Sequence, residues 1–267
     1  MSPKKKPKIG IIGIGYVGGA VKNWFEKEKY PLFLYDKYKK IGSLEEIDNS
    51  EIIFICVPTP FIEKSGGYND KAILESFKIL KGSKIVVIKS TILPGSTEKL
   101  QRKFPQHKIV FNPEFLRSKT AKEDFLNPKR QIIGYTQKSK GIARRILTLL
   151  PKAPYQKLIP AKEAETAKYF GNAFLASKVI FANQMYDLCQ KLGIDYEKVK
   201  EAAGADKMIG KTHLEIFHKG YRGYGGKCLR KDIKSLIKFA DEQGIDLKLH
   251  KTVEEINNKL MGKQGIE

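Results

Sequence analysis

Cysteine is scarce in this chain of 267 residues, which contains only three, with no paired spacing. That count argues against a disulfide framework and favours a reducing compartment. No apolar run reaches the length of a membrane span, and the basic start lacks the apolar stretch of a secretory signal, so we expect a cytoplasmic protein. Histidine is also scarce, and none has metal-ligand spacing with a cysteine, so no metal is expected. The four are His107, His213, His218 and His250.

Acidic residues are under-represented as well. Asp and Glu number 29 against 50 Lys and Arg, which gives a formal net charge of +21 at pH 7. Such a charge would attract polyanions, nucleic acid included. The lysines are scattered, however, and the cluster over 3–8 is better explained as a solvated tail than as a nuclear-localisation or phosphate-binding arm. Nucleic acid is therefore a disfavoured partner.

The first 160 residues alternate between two kinds of pattern. Helical periodicity over 20–29, 71–80 and 97–104 separates continuous apolar runs that are typical of buried parallel strands. The apolar runs cover 8–14, 31–35, 51–57, 84–88, 108–111 and 131–135. This alternation predicts an α/β domain with a doubly wound parallel sheet over 1–160, completed by a helix over 140–150 and a short strand near 156–159.

A second pattern begins at residue 161. Helical periodicity runs to about residue 192 without proline, far beyond the average helix of about 11–12 residues. A helix this long usually packs against another copy or spans two domains, so we expect a homodimer through Ala161 to Leu192. Shorter helices over 233–242 and 247–260 complete a smaller, all-helical domain over 161–267.

A glycine motif follows the first predicted strand and precedes a helix. Such a loop seats a dinucleotide pyrophosphate on a helix N-terminus, and a carboxylate ending the second strand would accept hydrogen bonds from the ribose hydroxyls. The carboxylate favours NAD over NADP, although three nearby lysines leave NADP open. With the strand-end loops that follow, the predicted cofactor contacts are Gly13, Gly15, Tyr16, Val17, Gly18, Asp36, Pro58, Thr59 and Thr91.

Polar residues also end the later strands, at the edge where open α/β sheets bind ligands. The loop over 57–60 is either a strand-ending turn or a rigid loop beside the cofactor, with equal weight. Thr91 either precedes an ordinary helix cap or orients a substrate oxygen or water. Glu114 lies between apolar residues, which we expect to raise its pKa and suit it to acid/base work.

Cys228 lies in a glycine-rich loop with four cations around it, an environment that favours the nucleophilic thiolate. Cys56 and Cys189 lie in apolar patterns and are expected to be buried small hydrophobes. Interleaved arginine, glycine and aromatics over 220–226 also occur in RNA-binding segments. A single copy followed by a periodic helix disfavours that interpretation.

Three polar residues share one face of the long helix. Glu165, Lys168 and Asn172 fall at positions i, i+3 and i+7. A solvated salt-bridge face is the ordinary explanation for such a set. An ammonium and an amide one turn apart would also form an oxyanion site.

Together these segments resemble the UDP-glucose dehydrogenase family, whose members oxidise nucleotide sugars from alcohol to carboxylate. The matching segments are 13–18, 57–60, 90–97, 112–117, 165–172 and 225–232. The resemblance implies a Rossmann domain that binds NAD, and a four-electron oxidation, UDP-glucose to UDP-glucuronate being the first expectation. The sugar aldehyde would be held on Cys228 as a thiohemiacetal and then as a thioester.

The resemblance also implies roles for particular residues. Lys168 and Asn172 would stabilise the oxyanion, Asp232 and Thr91 would position a water, and Glu114 would serve in thioester hydrolysis. The expected substrate contacts are Phe115, Leu116, Arg117, Lys168, Asn172, His213, Tyr224 and Gly225.

This sequence departs from the family pattern in several places. Full-length relatives carry a third, nucleotide-binding domain, whereas this chain stops at Glu267, so we expect a short form. Ser118 stands where many relatives have a second glutamate, Met208 replaces an arginine that reaches the sugar, and Arg230 replaces a common proline. Two other functions stay open: a remnant that binds NAD or a nucleotide sugar without turnover, and a two-electron hydroxyacid or 6-phosphogluconate-type dehydrogenase, which needs no such cysteine.

Overall fold

The computed structural model describes residues 5–63, 67–117, 119–218, 220–226 and 228–266. Contacts divide the described chain into two compact units. The first contains the residues up to Pro60 and Tyr68–Lys168, and the second contains Phe61–Gly67 and Tyr169 onward. The domain boundary expected after residue 160 stays a prediction.

Eleven strands occur among the described residues. In chain order they are β1 Ile9–Ile12, β2 Leu32–Tyr35, β3 Ile52–Ile55, β4 Phe61–Ile62, β5 Gly67–Tyr68, β6 Ile85–Ile88, β7 Lys108–Phe111, β8 Arg130–Tyr135, β9 Tyr155–Pro160, β10 Phe217–His218 and β11 Tyr221–Arg222. Seven of them form one sheet in the order β2-β1-β3-β6-β7-β8-β9. The predicted α/β class with a mostly parallel sheet is therefore confirmed.

Ten helices accompany these strands within the described ranges. They are α1 Tyr16–Lys27, α2 Leu44–Asp48, α3 Lys71–Lys78, α4 Ser96–Lys103, α5 Ala121–Leu126, α6 Lys140–Leu149, α7 Ala161–Leu192, α8 Tyr196–Gly204, α9 Leu229–Glu242 and α10 Lys248–Gly262. The long helix has the predicted bounds. None of the helices described combines the length and apolarity that crossing a bilayer requires.

The prediction that the 131–135 run is a parallel strand is wrong for its pairing with β7. Val110 pairs with Tyr135 and Phe111 with Gly134 in antiparallel register, while β8 and β9 run parallel. Among its described residues, the connection from β7 contains the short helix α5 and lacks a helix long enough to match the crossovers of parallel strands. The chain therefore re-enters the sheet at the end where β7 stops, and a short buried apolar run looks the same in either direction.

Both faces of this sheet are covered, which is why its strands are continuously apolar. On β3, Ile52 and Phe54 belong to one buried cluster, and Ile53 and Ile55 belong to another on the opposite face. All four are fully buried. The alternation along a single strand sets the two layers of the first unit and leaves the polar strand ends at its edge.

The second unit is mainly helical, with a two-residue antiparallel ladder between β10 and β11. The apolar side of α7 packs with α9 and α10 through Ile180, Ile233 and Val253. The helix α9 begins at Leu229, four residues before the predicted start, so Cys228 is its N-cap residue. Glycines just before the cysteine concealed this start from periodicity.

Candidate active site

The backbone itself requires two glycines of the 13–18 loop. Gly13 has a φ of 87°, which side chains rarely adopt, and a Cβ there would lie 2.9 Å from the Cys56 carbonyl oxygen. A Cβ on Gly18 would lie 1.8 Å from the Gly13 carbonyl oxygen. These glycines therefore allow the chain to turn tightly from β1 into α1.

The start of α1 offers an open position for an anion. Its N-cap is Gly15, and no side chain described in the structure caps it with a hydrogen bond. A Cβ on Gly15 would meet no described atom within 4 Å, so space remains at this glycine. Tyr16 and Val17 begin the helix, where backbone N–H groups and the dipole favour negative charge. This arrangement fits the pyrophosphate of a dinucleotide.

Asp36, directly after β2, is fixed by three backbone N–H groups. Ile14 donates to Oδ2 at 2.7 Å, and Tyr38 and Lys39 donate to Oδ1 at 3.0 and 2.9 Å. Burial alone would raise the pKa of Asp36, but these hydrogen bonds and the Lys39 ammonium lower it. The group is therefore a carboxylate at neutral pH, held beside the glycine loop as a ribose acceptor should be.

A cavity of about 250 Å³ opens beside this carboxylate. Val57, Pro58, Ala72 and Ile79 contribute to its largely apolar lining, and Asp36 also lines it. An apolar slot beside a ribose acceptor suits a flat aromatic base. The α1 terminus, Asp36 and this slot together fit the adenosine diphosphate part of NAD.

Two of the predicted strand-end threonines are joined to each other. The Thr59 hydroxyl donates to the Thr91 carbonyl oxygen at 2.8 Å, and the Tyr68 hydroxyl donates to the same oxygen at 3.2 Å. Both threonines are buried. The loop after β3 is therefore tied to the loop after β6 at the sheet edge where the cofactor cavity opens.

Glu114 does not have the raised pKa expected from its apolar neighbours. The Lys168 ammonium donates to Glu114 Oε1 at 2.8 Å and to its carbonyl oxygen at 2.7 Å, and the Leu116 N–H donates to Oε2 at 2.8 Å. Burial would raise the pKa of Glu114, but Lys168, the Leu116 N–H and the charge of Lys89 together lower it. The expectation is corrected because a cation 54 residues away in sequence compensates the burial.

The segment after Glu114 contacts two cationic side chains and an aspartate of α5. The Phe115 ring lies 3.6 Å from the Arg130 guanidinium and 5.6 Å from the Lys168 ammonium. Arg117 forms an ion pair of 2.6 Å with Asp124 on α5. Its side chain is thus engaged within the first unit. Ser118, the site of the missing second glutamate, lies outside the described residues.

Sequence reasoning did not predict the hydrogen bonds of Glu165. Its carboxylate accepts from the Gly95 N–H at 2.5 Å, the Thr97 N–H at 2.7 Å and the Thr97 hydroxyl at 2.6 Å. It therefore caps α4 from α7, because the N-cap residue Gly95 has no side chain. Burial raises the pKa of Glu165 to about 7, although these donors oppose the shift.

In the second unit the Cys228 thiol is exposed at the start of α9. The Asp232 N–H donates to the Cys228 carbonyl oxygen at 3.1 Å, in the first turn of the helix. Asp232 is 1% exposed, and Asn172 donates to its Oδ2 at 2.6 Å. The Lys231 ammonium contacts the other carboxylate oxygen. This unit therefore brings together three of the residues predicted to be catalytic: Cys228, Asn172 and Asp232.

Side chains of α10 hold the loop before Cys228 in place. Sequence reasoning predicted this helix but not its contacts with the loop. The Tyr224 N–H donates to Asn257 Oδ1 at 2.8 Å, and Asn257 Nδ2 donates to the Tyr224 carbonyl oxygen at 3.0 Å. The Tyr224 hydroxyl donates to Glu254 at 2.7 Å, so this predicted substrate contact is buried and engaged. At Gly225 a Cβ would lie 2.6 Å from the Tyr221 hydroxyl.

His213 has features that single it out among the predicted substrate contacts. Its backbone is left-handed, with a φ of 64°, and its buried Nδ1 finds no hydrogen-bond partner among the described residues. Burial lowers the pKa of His213, and Lys178 and His218 lower it further. Met208, on the preceding turn, is 93% exposed.

The three cysteines have different environments. Cys189 is buried, as predicted, and Cys56 packs against the first unit's core. Burial raises the pKa of the Cys56 thiol to about 12, with partial compensation by Lys89. In the part of the chain that is described, no cluster of three or more His, Cys, Asp or Glu could hold a metal ion.

Comparison with known families agrees with this geometry. The model of the UDP-glucose/GDP-mannose dehydrogenase NAD-binding domain matches residues 36–150, and the model of the family's central domain matches residues 162–259. The chain belongs to the UDP-glucose/GDP-mannose dehydrogenase family. The first match gives this family member an NAD-binding domain, in keeping with the α1 terminus and Asp36.

Curated relatives and solved structures give the same assignment. UDP-glucose 6-dehydrogenase of Pseudomonas aeruginosa is 35% identical over 232 residues, which cover 80% of this chain and 49% of the relative. The enzyme of the same name from Rhizobium meliloti is 35% identical, with 81% and 53% covered. A UDP-glucose dehydrogenase structure from Pyrobaculum islandicum has a TM-score of 0.84 at 26% identity, covering 99% of this chain and 73% of that one. This family member spans about half the length of the curated relatives it matches.

Proposed function

We propose that this chain oxidises the primary alcohol of a nucleotide sugar to a carboxylate, with UDP-glucose as the first substrate to test. The observation that carries the proposal is the exposed Cys228 thiol at the start of α9, with Asp232 and Asn172 in the same unit. A helix N-terminus favours the thiolate, and the preceding glycines let a substrate approach closely. A two-electron dehydrogenase has no use for such a thiol.

The bound NAD would supply the hydride acceptor for two successive two-electron oxidations. Cys228 Sγ would add to the carbonyl carbon of the sugar aldehyde, and the resulting oxygen anion would take a proton or a hydrogen bond from Lys168 or Asn172. Loss of hydride from that thiohemiacetal would leave a thioester on the sulfur. Water would then add to the thioester carbon and break the C–S bond, which returns the thiol and releases the acid.

The described residues also support a division of labour in the hydrolysis step. Glu114 is kept as a carboxylate by Lys168, so it would accept a proton from the attacking water. Thr91 and Asp232 would orient that water. His213, with its unpartnered Nδ1, and the segment of Phe115, Leu116 and Arg117 would contact the substrate, together with Tyr224 and Gly225.

A second candidate function is the binding of NAD or a nucleotide sugar without turnover, completed by a separate chain. The coverage favours it, because the matched part is about half of the Pseudomonas aeruginosa and Rhizobium meliloti enzymes. A cytoplasmic location stays a prediction.

Coenzyme stoichiometry separates these functions. With UDP-glucose, UDP-galactose or GDP-mannose and excess NAD, the proposal predicts two NADH per sugar consumed. Cys228→Ser should abolish the second oxidation, whereas Cys189→Ala, which removes a buried thiol of the same unit, should retain it. One NADH per substrate, insensitive to Cys228→Ser, would point to a two-electron hydroxyacid dehydrogenase. Binding without any NADH would point to the second candidate.

We also propose that α7 pairs with a second copy of the chain. Large apolar side chains that are 48–74% exposed recur along it at intervals of four or seven residues, which places them on one stripe. They are Phe170, Phe174, Phe181, Leu188 and Leu192. Sedimentation velocity should show a dimer that Phe174→Glu with Phe181→Glu converts to monomer, and a wild-type monomer at micromolar concentration would refute the pairing.

A further inference from the structure

Lys89 is a buried cation that the proposed chemistry does not use. It follows β6 directly and is 2% exposed, although lysine is almost never buried unless it is paired. No carboxylate oxygen of the described residues lies within 4.0 Å of its ammonium. Burying a charge without a contacting counter-ion is unfavourable, so its position at the candidate site calls for a function.

The ammonium is held by one residue of the neighbouring strand end. Lys89 Nζ donates to Asn112 Oδ1 at 2.6 Å and to the Asn112 carbonyl oxygen at 3.3 Å. The Asn112 amide in turn donates to the Ile132 carbonyl oxygen at 2.8 Å and to Gln131 Oε1 at 3.3 Å. A polar chain therefore crosses from β6 through β7 to β8 inside an apolar sheet, with the Phe125 ring 5.3 Å from the ammonium.

The hydrogen-bonded side chains of Lys89 and Asn112 lie at the bases of two loops of the candidate site. Lys89 is two residues before Thr91, and Asn112 is two residues before Glu114. The bond between Lys89 and Asn112 thus joins the bases of the loops that carry the proposed water-orienting threonine and the proposed base. Loss of this bond would remove one support from each loop, in addition to those that Thr59 gives the Thr91 loop and Lys168 gives the Glu114 loop.

The charge of Lys89 acts on the same group. The charged or titratable groups that influence Lys89 are Cys56 after β3, Glu114 after β7 and Lys168 on α7. Burial lowers the pKa of Lys89 to about 8, Cys56 and Glu114 oppose that shift, and Lys168 adds to it. In return, Lys89 is one of the groups that lower the pKa of Glu114.

We propose that Lys89 is a positioning residue for the hydrolysis of the thioester, fixing the Thr91 and Glu114 loops through Asn112 and adding its positive charge to that of Lys168 at Glu114. The inference rests on the proposed function for its catalytic meaning. Its electrostatic part concerns Glu114 alone and can be measured without turnover.

Two substitutions separate the hydrogen bonds from the charge. Lys89→Met fills a similar volume but removes both, whereas Lys89→Gln keeps an N–H donor for Asn112 and removes only the charge. Lys84→Met is the matched control, because Lys84 precedes the same strand at its other end and pairs with Asp48 at 3.5 Å.

The primary measurement is the titration of Glu114 by NMR in protein labelled with ¹³C-glutamate, with the signal assigned through Glu114→Gln. We expect the pKa of Glu114 to rise in both Lys89 variants and to be unchanged in Lys84→Met. In the wild type, the Glu114 signal should shift again near pH 8, where Lys89 loses its proton. This second shift tests the coupling even where a Lys89 variant fails to fold.

The kinetic measurement concerns hydrolysis. In Lys89→Met, kcat should fall by roughly tenfold or more, while KM for NAD stays unchanged. This fall is smaller than the roughly hundredfold or greater loss expected for a group that contacts the reacting atoms, because Lys89 acts through Asn112 and Glu114. Lys89→Gln should fall less if the hydrogen bonds to Asn112 matter. Lys84→Met should match the wild type.

Two outcomes would overturn the inference: a Glu114 titration that is identical in the wild type and both Lys89 variants, or a kcat of folded Lys89→Met that matches the wild type. Absence of NADH formation by the wild type on every sugar would instead remove the proposed function. In that case a shifted Glu114 titration in the variants would still support the electrostatic part of the inference, so the two failures can be told apart.

Discussion

The two units hold their candidate residues in different ways. In the first unit, Thr59, Thr91, Glu114 and Lys168 lie at strand ends or on α7 and are engaged with one another or with nearby backbone. In the second unit, the Cys228 thiol is exposed at a helix start. The residues proposed to keep a fixed charge or orientation are thus enclosed, whereas the residue proposed to add to a carbon atom is exposed.

The two units also differ in what holds their candidate residues in place. At the sheet edge, neighbouring parallel strands end side by side, so backbone topology alone brings their loops together. Before Cys228, the loop is fixed by the side chain of Asn257, which is 33 residues away from Tyr224. A substitution must therefore clash with the backbone to disturb the first arrangement. Removal of the Asn257 amide is enough to disturb the second.

The largest effect is expected from a clash in the first unit. Gly18→Ala would place a Cβ 1.8 Å from the Gly13 carbonyl oxygen. We therefore expect the free energy of unfolding to fall by about 3 kcal/mol or more and NAD binding to be lost. Urea unfolding and calorimetric titration with NAD measure both. The control is Gly19→Ala, whose Cβ would meet no described atom within 4 Å and which should gain about 0.5–1 kcal/mol. Equal stability of the two variants would contradict the steric argument.

A smaller effect is expected from removal of the amide in the second unit. Asn257→Leu leaves the buried N–H and carbonyl of Tyr224 without partners, which should cost about 3 kcal/mol. The rate of Cys228 alkylation should change while NAD affinity is retained. Asn258→Leu, at an exposed neighbouring position, should leave stability and alkylation unchanged. A clear fall in NAD affinity in Asn257→Leu would contradict this prediction, because it would show that NAD binding depends on the loop before Cys228.

The smallest effect concerns the carboxylate that caps α4. The pKa of Glu165 is raised from 4.5 to about 7, so the folded state binds this proton more tightly than the unfolded state. Its contribution to stability is full below pH 4.5 and is lost as the pH rises to 7, by about 2–3 kcal/mol. Unfolding in urea at several pH values measures the slope, which Glu165→Gln should flatten and the exposed Glu163→Gln should not. A slope that survives unchanged in Glu165→Gln would show that other groups cause it, which would contradict the assignment to Glu165.

The sequence predicted those features that depend on local pattern. Apolar runs and helical periodicity located the sheet and the bounds of α7, and the glycine loop and Asp36 lie together as their spacing indicated. Strand direction was not predictable for β8, because its short buried run reads alike either way. The lowered pKa of Glu114 and the attachment of Tyr224 to Asn257 depend on partners 54 and 33 residues away, which no local window contains.

The turn around Asp36 has a consequence for how the choice of coenzyme could change. Its two oxygens already accept three backbone N–H groups, and a carboxylate has roughly four acceptor positions. An amide in its place would turn an NH₂ group toward at least one of those donors. The predicted ribose acceptor and the shape of the glycine loop therefore depend on each other, and we expect a switch toward a phosphorylated coenzyme to require rebuilding the whole turn rather than exchanging one side chain.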